Sequence, residues 1–364
     1  MTKKLDIIPF QQWNIFANNR PVIISGPCSA ETREQILSTA SGVKKLGISA
    51  FRAGIWKPRT HPGCFEGIGT EGLAWLEEVR KKESIAVCTE VATKEHVEQC
   101  LKHNIDFVWI GARTTTNPFL VQEIAEALQG TDIPVLVKNP INHDMELWLG
   151  ALERLNAMGI KKLGVIHRGV SPIVCGRYRN DPQWHMVTEL RAAYPEMLFL
   201  CDPSHMGGSR EYLSEISQKA MDLGLDGLMI ESHCCPKQAL SDAKQQVTPE
   251  ELGFILRSLH LRKATSLDDD YLRQIDRLRS RIDACDESLI SILAQRLEIS
   301  REIGRYKQKH NIAIIQGIRW NELIEDVLDK AQRNGLSAKY ITKLFNTIHE
   351  ESVEVQNSIR DEQN

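Results

Sequence analysis

At 364 residues, the chain is long enough for two domains. Its 26% charged and 42% hydrophobic residues are those of an ordinary globular protein, and a formal net charge of −3 excludes a general nucleic-acid or membrane-surface binder. Met1–Phe10 has two lysines but no long apolar region, no apolar stretch approaches a membrane span, and the nine cysteines form no CxxC pair, so a cytoplasmic protein with reduced thiols is expected.

Eight short apolar runs follow, each leading to a charged or metal-ligating residue. Val22–Ile24 leads to Cys28, Ala50–Phe51 to Arg52, Ile85–Cys88 to Glu90, and Phe107–Ile110 to Arg113. Pro134–Val137 leads to Lys138, and Leu163–Ile166 to His167 and Arg168. Leu198–Leu200 leads to Asp202 and His205, and Leu228–Ile230 to Glu231 and His233. Continuous apolar runs predict strands buried on both faces, the pattern of a parallel sheet. Segments long enough for crossover helices separate them, so eight such units in roughly 250 residues predict an α/β (β/α)8 TIM barrel. Thr248 is placed to cap a last helix, with Pro249 at its first position. The barrel is assigned to residues 1–262, and the polar stretch 263–267 is read as a linker.

From Leu272 the period changes to 3.6: Leu272, Ile275, Leu278, Ile282, Leu289, Ile292, Leu293, Ile299 and Ile303 recur at helical spacing. No proline follows residue 249. Residues 268–364 are therefore predicted to form an all-α three-helix domain: one helix to about Lys309, one from Gly317 to Asn334, and one from Ser337 to Arg360. Gly335 ends the second and Ser337 caps the third. Three helices of this size bury only a modest core alone, which favours a homodimer or higher homo-oligomer.

In a TIM barrel the strand ends share one mouth, and here that gathers Arg52, Arg113, Lys138 and Arg168 beside Cys28, His205 and Glu231. A cation at the end of a buried strand must find an anion, either an internal carboxylate or a substrate; a phosphorylated substrate is the better account of so many. Lys57-Pro58-Arg59-Thr60 adds two cations and a hydroxyl, and guanidinium forks suit phosphate and carboxylate. Cys28, His205, Glu231 and Asp242 could hold one divalent metal ion, with a donor set suited to Mn, Fe, Co or Zn. They could equally be ordinary buried polar groups, and spacing alone leaves both readings open.

Nine segments, in order, carry a resemblance over residues 20–260. They are Gly26-Pro27-Cys28-Ser29, Phe51-Arg52-Ala53-Gly54, Lys57-Pro58-Arg59-Thr60, Gly111-Ala112-Arg113-Thr114-Thr115, Val137-Lys138-Asn139-Pro140, His167-Arg168-Gly169, Asp202-Pro203-Ser204-His205, Glu231-Ser232-His233 and Ala239-Leu240-Ser241-Asp242. The chain resembles the shorter microbial type of 3-deoxy-D-arabino-heptulosonate 7-phosphate (DAHP) synthase. The resemblance implies condensation of phosphoenolpyruvate with erythrose 4-phosphate, the first step of the shikimate pathway, with release of phosphate. It assigns the metal to Cys28, His205, Glu231 and Asp242. It assigns phosphoenolpyruvate to Arg52, Lys57, Arg113, Lys138 and Arg168, with Lys57 also counted as catalytic. Arg59 and Thr60 take the sugar phosphate, Asp202 a sugar hydroxyl, and His167 a place in a proton or water relay. A sister family uses arabinose 5-phosphate, but its loop resembles K-A-N-R-S rather than the Lys57-Pro58-Arg59-Thr60 found here.

The tail carries Arg279, Arg296, Lys307 and Arg319. Arg296 and Lys307 lie three turns apart on one helix face, and Ser352 and Gln356 are one turn apart. On spacing alone, the solvated basic face of a dimeric coil accounts for them better than a site. Leu278-Arg279-Ser280-Arg281-Ile282-Asp283, Leu293-Ala294-Gln295-Arg296, Lys307, Arg319 and the stretch Tyr340–Gln356 reverse that, because they resemble the all-helical chorismate mutase, an intertwined dimer. The resemblance implies rearrangement of chorismate to prephenate without metal. It gives the substrate carboxylates to Arg279 of the partner subunit and to Arg296, the ether oxygen to Lys307 and Gln356, and the pocket wall to Arg319 and Ser352. Trp320 and Gln316 stand where an acid is common in that family. The fusion suggests feedback, with prephenate or chorismate on the tail slowing the barrel; the rival is a tail that only senses ligand and dimerises.

Overall fold

A computed structural model describes residues 4–16, 20–57, 63, 65–172, 176–262, 268–314 and 317–361, excepting the side chains of 317–319, 321–322 and 359–361. The joint at 263–267, Arg59, Thr60, Gln316 and the Arg319 side chain lie outside these residues. The chain divides into two compact units, Met1–Ala264 and Thr265–Asn364. No helix among the described residues is long and apolar enough to cross a membrane.

All eight predicted runs are strands: β1 Val22–Gly26, β2 Ala50–Arg52, β3 Ala86–Val91, β4 Phe107–Ile110, β5 Val135–Lys138, β6 Leu163–His167, β7 Leu198–Cys201 and β8 Gly227–Glu231. They pair in parallel and in sequence order into a closed barrel. Closure is made by β1 on β8, in a register that sets Gly26 beside Glu231. Alternation divides each strand between two cores. Val108 and Ile110 face the helices, whereas Phe107 and Trp109 fill the barrel interior with Ile24, Leu136, Leu198 and Met229. Phe10 and Trp13, from the segment before β1, join that interior core.

The crossover helices start where the sequence supplies caps. Thr32 accepts from the Gln35 amide, Thr93 from His96 and Asp144 from Leu147. Thr248 and Glu251 form a reciprocal capping box that begins Pro249–Ser258.

The second unit is three helices, Asp269–Lys309, Gly317–Arg333 and Ala338–Asp361. Ser337 accepts from the Tyr340 amide, and Gly335 turns the chain at a φ of +72°. This unit has little core of its own. Among the described residues, only Ala331 and Ile341 are its buried hydrophobic side chains. Ile282, Ile290, Ile292 and Ile299 are each more than half exposed.

Candidate active site

The barrel register builds the mouth. Because Gly26 pairs with Glu231, Cys28 is delivered to the end of β8 two residues later. Cys28 Sγ, a Glu231 carboxylate oxygen and an Asp242 carboxylate oxygen lie within 4.8 Å of one another, able to hold a metal ion. Cys28 Sγ is 3.4 Å from Asp242 Oδ2 and 3.2 Å from the Lys57 ammonium, which donates to it. His205 stands beside this trio rather than within it: its Nε2 is 3.7 Å from Glu231 Oε1, while its Nδ1 meets Asp202 Oδ2 at 2.8 Å. That leaves Nε2 turned to the ligand side, the arrangement of a metal-binding imidazole oriented by a carboxylate.

Glu231 Oε1 is buried and accepts no hydrogen bond, though it lies 3.3 Å from the Arg52 guanidinium off the N–H axis. A buried carboxylate oxygen without a donor costs free energy unless a cation completes it. Thiolate, imidazole and carboxylate are a donor set for borderline divalent ions, so the residues present fit such an ion. Burial, then the Glu231 charge, push the Cys28 thiol up to about 12. Burial opposes the Asp242 and Glu231 charges, but His205 and neighbouring cations prevail and hold both carboxyls below their usual range.

The cations surround this trio. Arg52 is 1% exposed and lies over the Trp109 ring at 4.7 Å, donating to the Cys28 carbonyl. Burial opposes its charge, but Glu231 and other anions raise its pKa further. Lys138 donates to Asp202 at 2.7 Å and reaches the same Trp109 ring at 5.8 Å. Trp109 thus forms a cation–π floor under both cations. Burial, opposed by Asp202, brings Arg168 down to about 10, still charged at neutral pH. Arg113, Lys138, Arg168, Glu90, Arg179 and Asn180 are among the residues lining a mouth cavity of about 350 Å3 that reaches His205 and Asp242. Two glycines make room: a Cβ at Gly54 would meet the Lys57 ammonium at 2.7 Å, and one at Gly111 would meet Glu90 Oε1 at 2.2 Å.

Two placements differ from expectation. Asp202 does not line the cavity; it is fully buried, with its oxygens taken by Lys138, the His205 ring and the His205 amide. The requirement to satisfy a buried carboxylate outweighs display to a sugar hydroxyl. His167 also lies away from the mouth, between Trp148 and Trp184, with one ring nitrogen on the Pro182 carbonyl. Burial lowers its pKa to about 4, so it is neutral at neutral pH. His233 is buried against Glu31, and Lys237 is exposed.

Sequence reasoning missed Trp109, Arg179, Asn180, Gln245 and Gln246. The Cys28 amide donates to Gln246, and Asn180 bridges Arg168 to the His205 carbonyl. Period-two alternation along β4 was the available signal for Trp109. The others sit in loops, where no period applies.

In the helical unit, Arg296 donates to the Ser352 hydroxyl and to the Ile348 carbonyl. Lys307 donates to the Ile314 carbonyl at 2.5 Å. Gln356 lines a cavity of about 170 Å3 with Gly304, Gln308 and Ile314, and its Oε1 is buried without a hydrogen-bond donor. Arg279 is not brought to this group; its side chain is 73% exposed, 3.9 Å from Asp276. Trp320 stacks on His349 with centroids 4.1 Å apart.

Comparison with known proteins agrees with both units. Residues 8–264 match the DAHP synthetase I family, and residues 278–357 match chorismate mutase type II. Phospho-2-dehydro-3-deoxyheptonate aldolase of Thermotoga maritima is 33% identical over 225 residues, covering 62% of this chain and 64% of that protein, just under two thirds of its length. The 2-dehydro-3-deoxyphosphooctonate aldolase of Desulfotalea psychrophila is 28% identical over 261 residues, 65% of this chain and 88% of the relative. The crystal structure of the Thermotoga maritima DAHP synthase matches with a TM-score of 0.60 and 30% identity, over 66% of this chain and 68% of that one. By its match across the barrel, the chain belongs to the DAHP synthetase I family, and a chorismate mutase type II domain follows that barrel.

Proposed function

We propose that the barrel condenses phosphoenolpyruvate with erythrose 4-phosphate to DAHP, and that the helical unit rearranges chorismate to prephenate. The observation that carries the barrel reading is the convergence of Cys28, Glu231 and Asp242 beside a cation-lined cavity. These three, with His205, would hold one divalent ion of the Mn, Fe, Co or Zn class. Such an ion supplies Lewis-acid polarisation of the sugar aldehyde. Arg52, Lys57, Arg113, Lys138 and Arg168 bind the carboxylate and phosphate of phosphoenolpyruvate and stabilise the charge that shifts as its carbon 3 bonds to the aldehyde carbon. Water adds at carbon 2, and inorganic phosphate leaves. Asp202 acts through others, orienting His205 and Lys138. Arg59 and Thr60 take the sugar phosphate.

Exhaustive chelation is expected to stop phosphoenolpyruvate consumption, and manganese to restore it. Consumption that survives chelation would remove the metal role from the trio. Supplying arabinose 5-phosphate in parallel separates the two sugars: faster turnover with that five-carbon substrate would overturn the DAHP assignment.

In the helical unit the reaction needs restriction and electrostatic support rather than a nucleophile. Arg296 holds one substrate carboxylate and Arg279, from a second copy, the other; Lys307 and Gln356 face the ether oxygen. The support is the buried, donorless Gln356 Oε1, the Arg296 guanidinium tied to Ser352, and an apolar stripe that a homodimer would cover. Burying each such side chain contributes about 1.5–3 kcal/mol. Prephenate bound there is proposed to slow the barrel. Synthase rates that stay constant at prephenate concentrations saturating the tail would refute this control. A tail that senses ligand without turnover is the second reading, favoured by Trp320, which stacks on His349 where an acid is common.

A further inference from the structure

The two carboxylates of the trio come from different segments. Glu231 ends β8, and Asp242 stands in the loop beyond it, in the left-handed region at a φ of 46°. Each carboxylate has two oxygens, and a compact centre needs the correct one from each. One side chain reaches the outer oxygens of both, directly or through one neighbour. Gln245 Nε2 donates to Glu231 Oε2 at 2.7 Å. The Oε1 of the same amide accepts from Arg179 Nη1 at 3.0 Å, and that nitrogen also meets Asp242 Oδ1 at 3.2 Å. What remains is Glu231 Oε1, buried without a donor, and Asp242 Oδ2, turned to Cys28 Sγ.

The amide can be held only one way round. Flipped, its oxygen would face a carboxylate and its N–H groups would face a guanidinium. Gln245 is itself fixed: it is 1% exposed, its backbone amide donates to the Asp242 carbonyl, and two residues later Val247 pairs with Ser232 beyond β8.

We infer that Gln245, backed by Arg179, is a positioning residue of the metal centre, holding Glu231 and Asp242 by their outer oxygens so that each presents one oxygen to the cation. The inference rests on the metal reading above. Neither residue touches the reacting atoms in this role. Groups that orient metal ligands from behind are worth about 10–100-fold in metal affinity.

The test is Co2+ affinity of the intact protein, measured by chelator competition, with the thiolate-to-cobalt absorption band reporting Cys28. Gln245→Leu removes both hydrogen bonds at similar volume. It is expected to weaken Co2+ binding about 10–100-fold, beyond any lowering of the cation-free thermal midpoint from the donor that Glu231 Oε2 loses. Arg179→Gln is expected to weaken it as well, and the double variant to lose less than the two single losses combined, because both act along one chain of contacts. Co2+ affinity within about twofold of the parent in folded Gln245→Leu would overturn the inference, as would a lowered midpoint with unchanged affinity, which is what a purely structural amide predicts. If Gln245→Leu does not fold, Arg179→Gln decides alone, since that side chain is half exposed; unchanged affinity there overturns the inference. Cys28→Ala is the control. Parent-like affinity in Cys28→Ala sinks the metal reading itself, whereas loss there with retention in Gln245→Leu sinks only the positioning role.

Discussion

Replacing Cys28 by alanine is expected to abolish cation binding at the barrel mouth and to cut phosphoenolpyruvate consumption by roughly three orders of magnitude. Cys28 supplies the one sulfur of the trio, and no other cysteine among the described residues joins it. Its side chain is 1% exposed, and its backbone amide is fixed by Gln246. Lewis-acid support of a developing oxyanion is worth several kcal/mol, and about 4 kcal/mol is a thousandfold in rate. The structural cost is small, because one sulfur is deleted from a site otherwise tied by Glu231, Arg52 and Gln246. Equilibrium dialysis with Mn2+ and a phosphoenolpyruvate assay measure the two effects. A variant that binds Mn2+ as the parent does, yet loses rate, would move the role of Cys28 from ligand to partner of the Lys57 ammonium 3.2 Å away.

The parts of this site legible in the sequence are those governed by a period. Parallel strands buried on both faces leave uninterrupted apolar runs, so the first charged residue after each run marks a strand end. Arg52, Lys138 and Glu231 are found that way, and all three are the last residues of their strands. Inward or outward direction follows from alternation, which distinguishes Trp109 from Val108 and Ile110. Beyond the strand ends the period stops. Asp202 follows β7 in the same way that Lys138 ends β5, but its carboxylate is consumed by Lys138 and His205, two partners distant in sequence or a turn ahead. Whether a charge faces a substrate or another side chain depends on the loops opposite it, and no local pattern encodes that. His167 is the sharper case. It precedes a cavity arginine, yet on a pleated strand neighbouring residues face opposite ways, and its side has Trp148 and Trp184. In the tail, helical spacing puts Arg296 and Lys307 on one face, whereas Arg279 is 73% exposed with Asp276 3.9 Å away, and no period within one chain tells such a surface arginine from a ligand-binding one.

Arg296→Ala is expected to lower chorismate turnover by about 10²–10³-fold while leaving phosphoenolpyruvate consumption in the absence of prephenate unchanged. The magnitude is that of removing one preorganised donor from a charge-stabilising site. Arg296 is the cation best placed for it. Its guanidinium is tied to Ser352 and Ile348 on the third helix, so it is held ready rather than free to sample rotamers. Burial lowers its pKa, a sign of partial desolvation, in which an interaction with a substrate carboxylate is stronger than in water. The lost interaction acts on a bound dianion, so KM should rise along with the fall in kcat. Arg279→Ala is the matching measurement across subunits. If Arg279 acts only in a second copy, mixing the Arg279→Ala and Arg296→Ala variants restores one intact site in each mixed dimer, and turnover returns to a quarter of the parent value at equal mixing. No recovery on mixing would place both arginines in one chain's pocket or remove Arg279 from it. An intact parent protein that binds prephenate but does not turn over chorismate would make the helical unit a sensor, with Trp320 on His349 closing the place an acid would need.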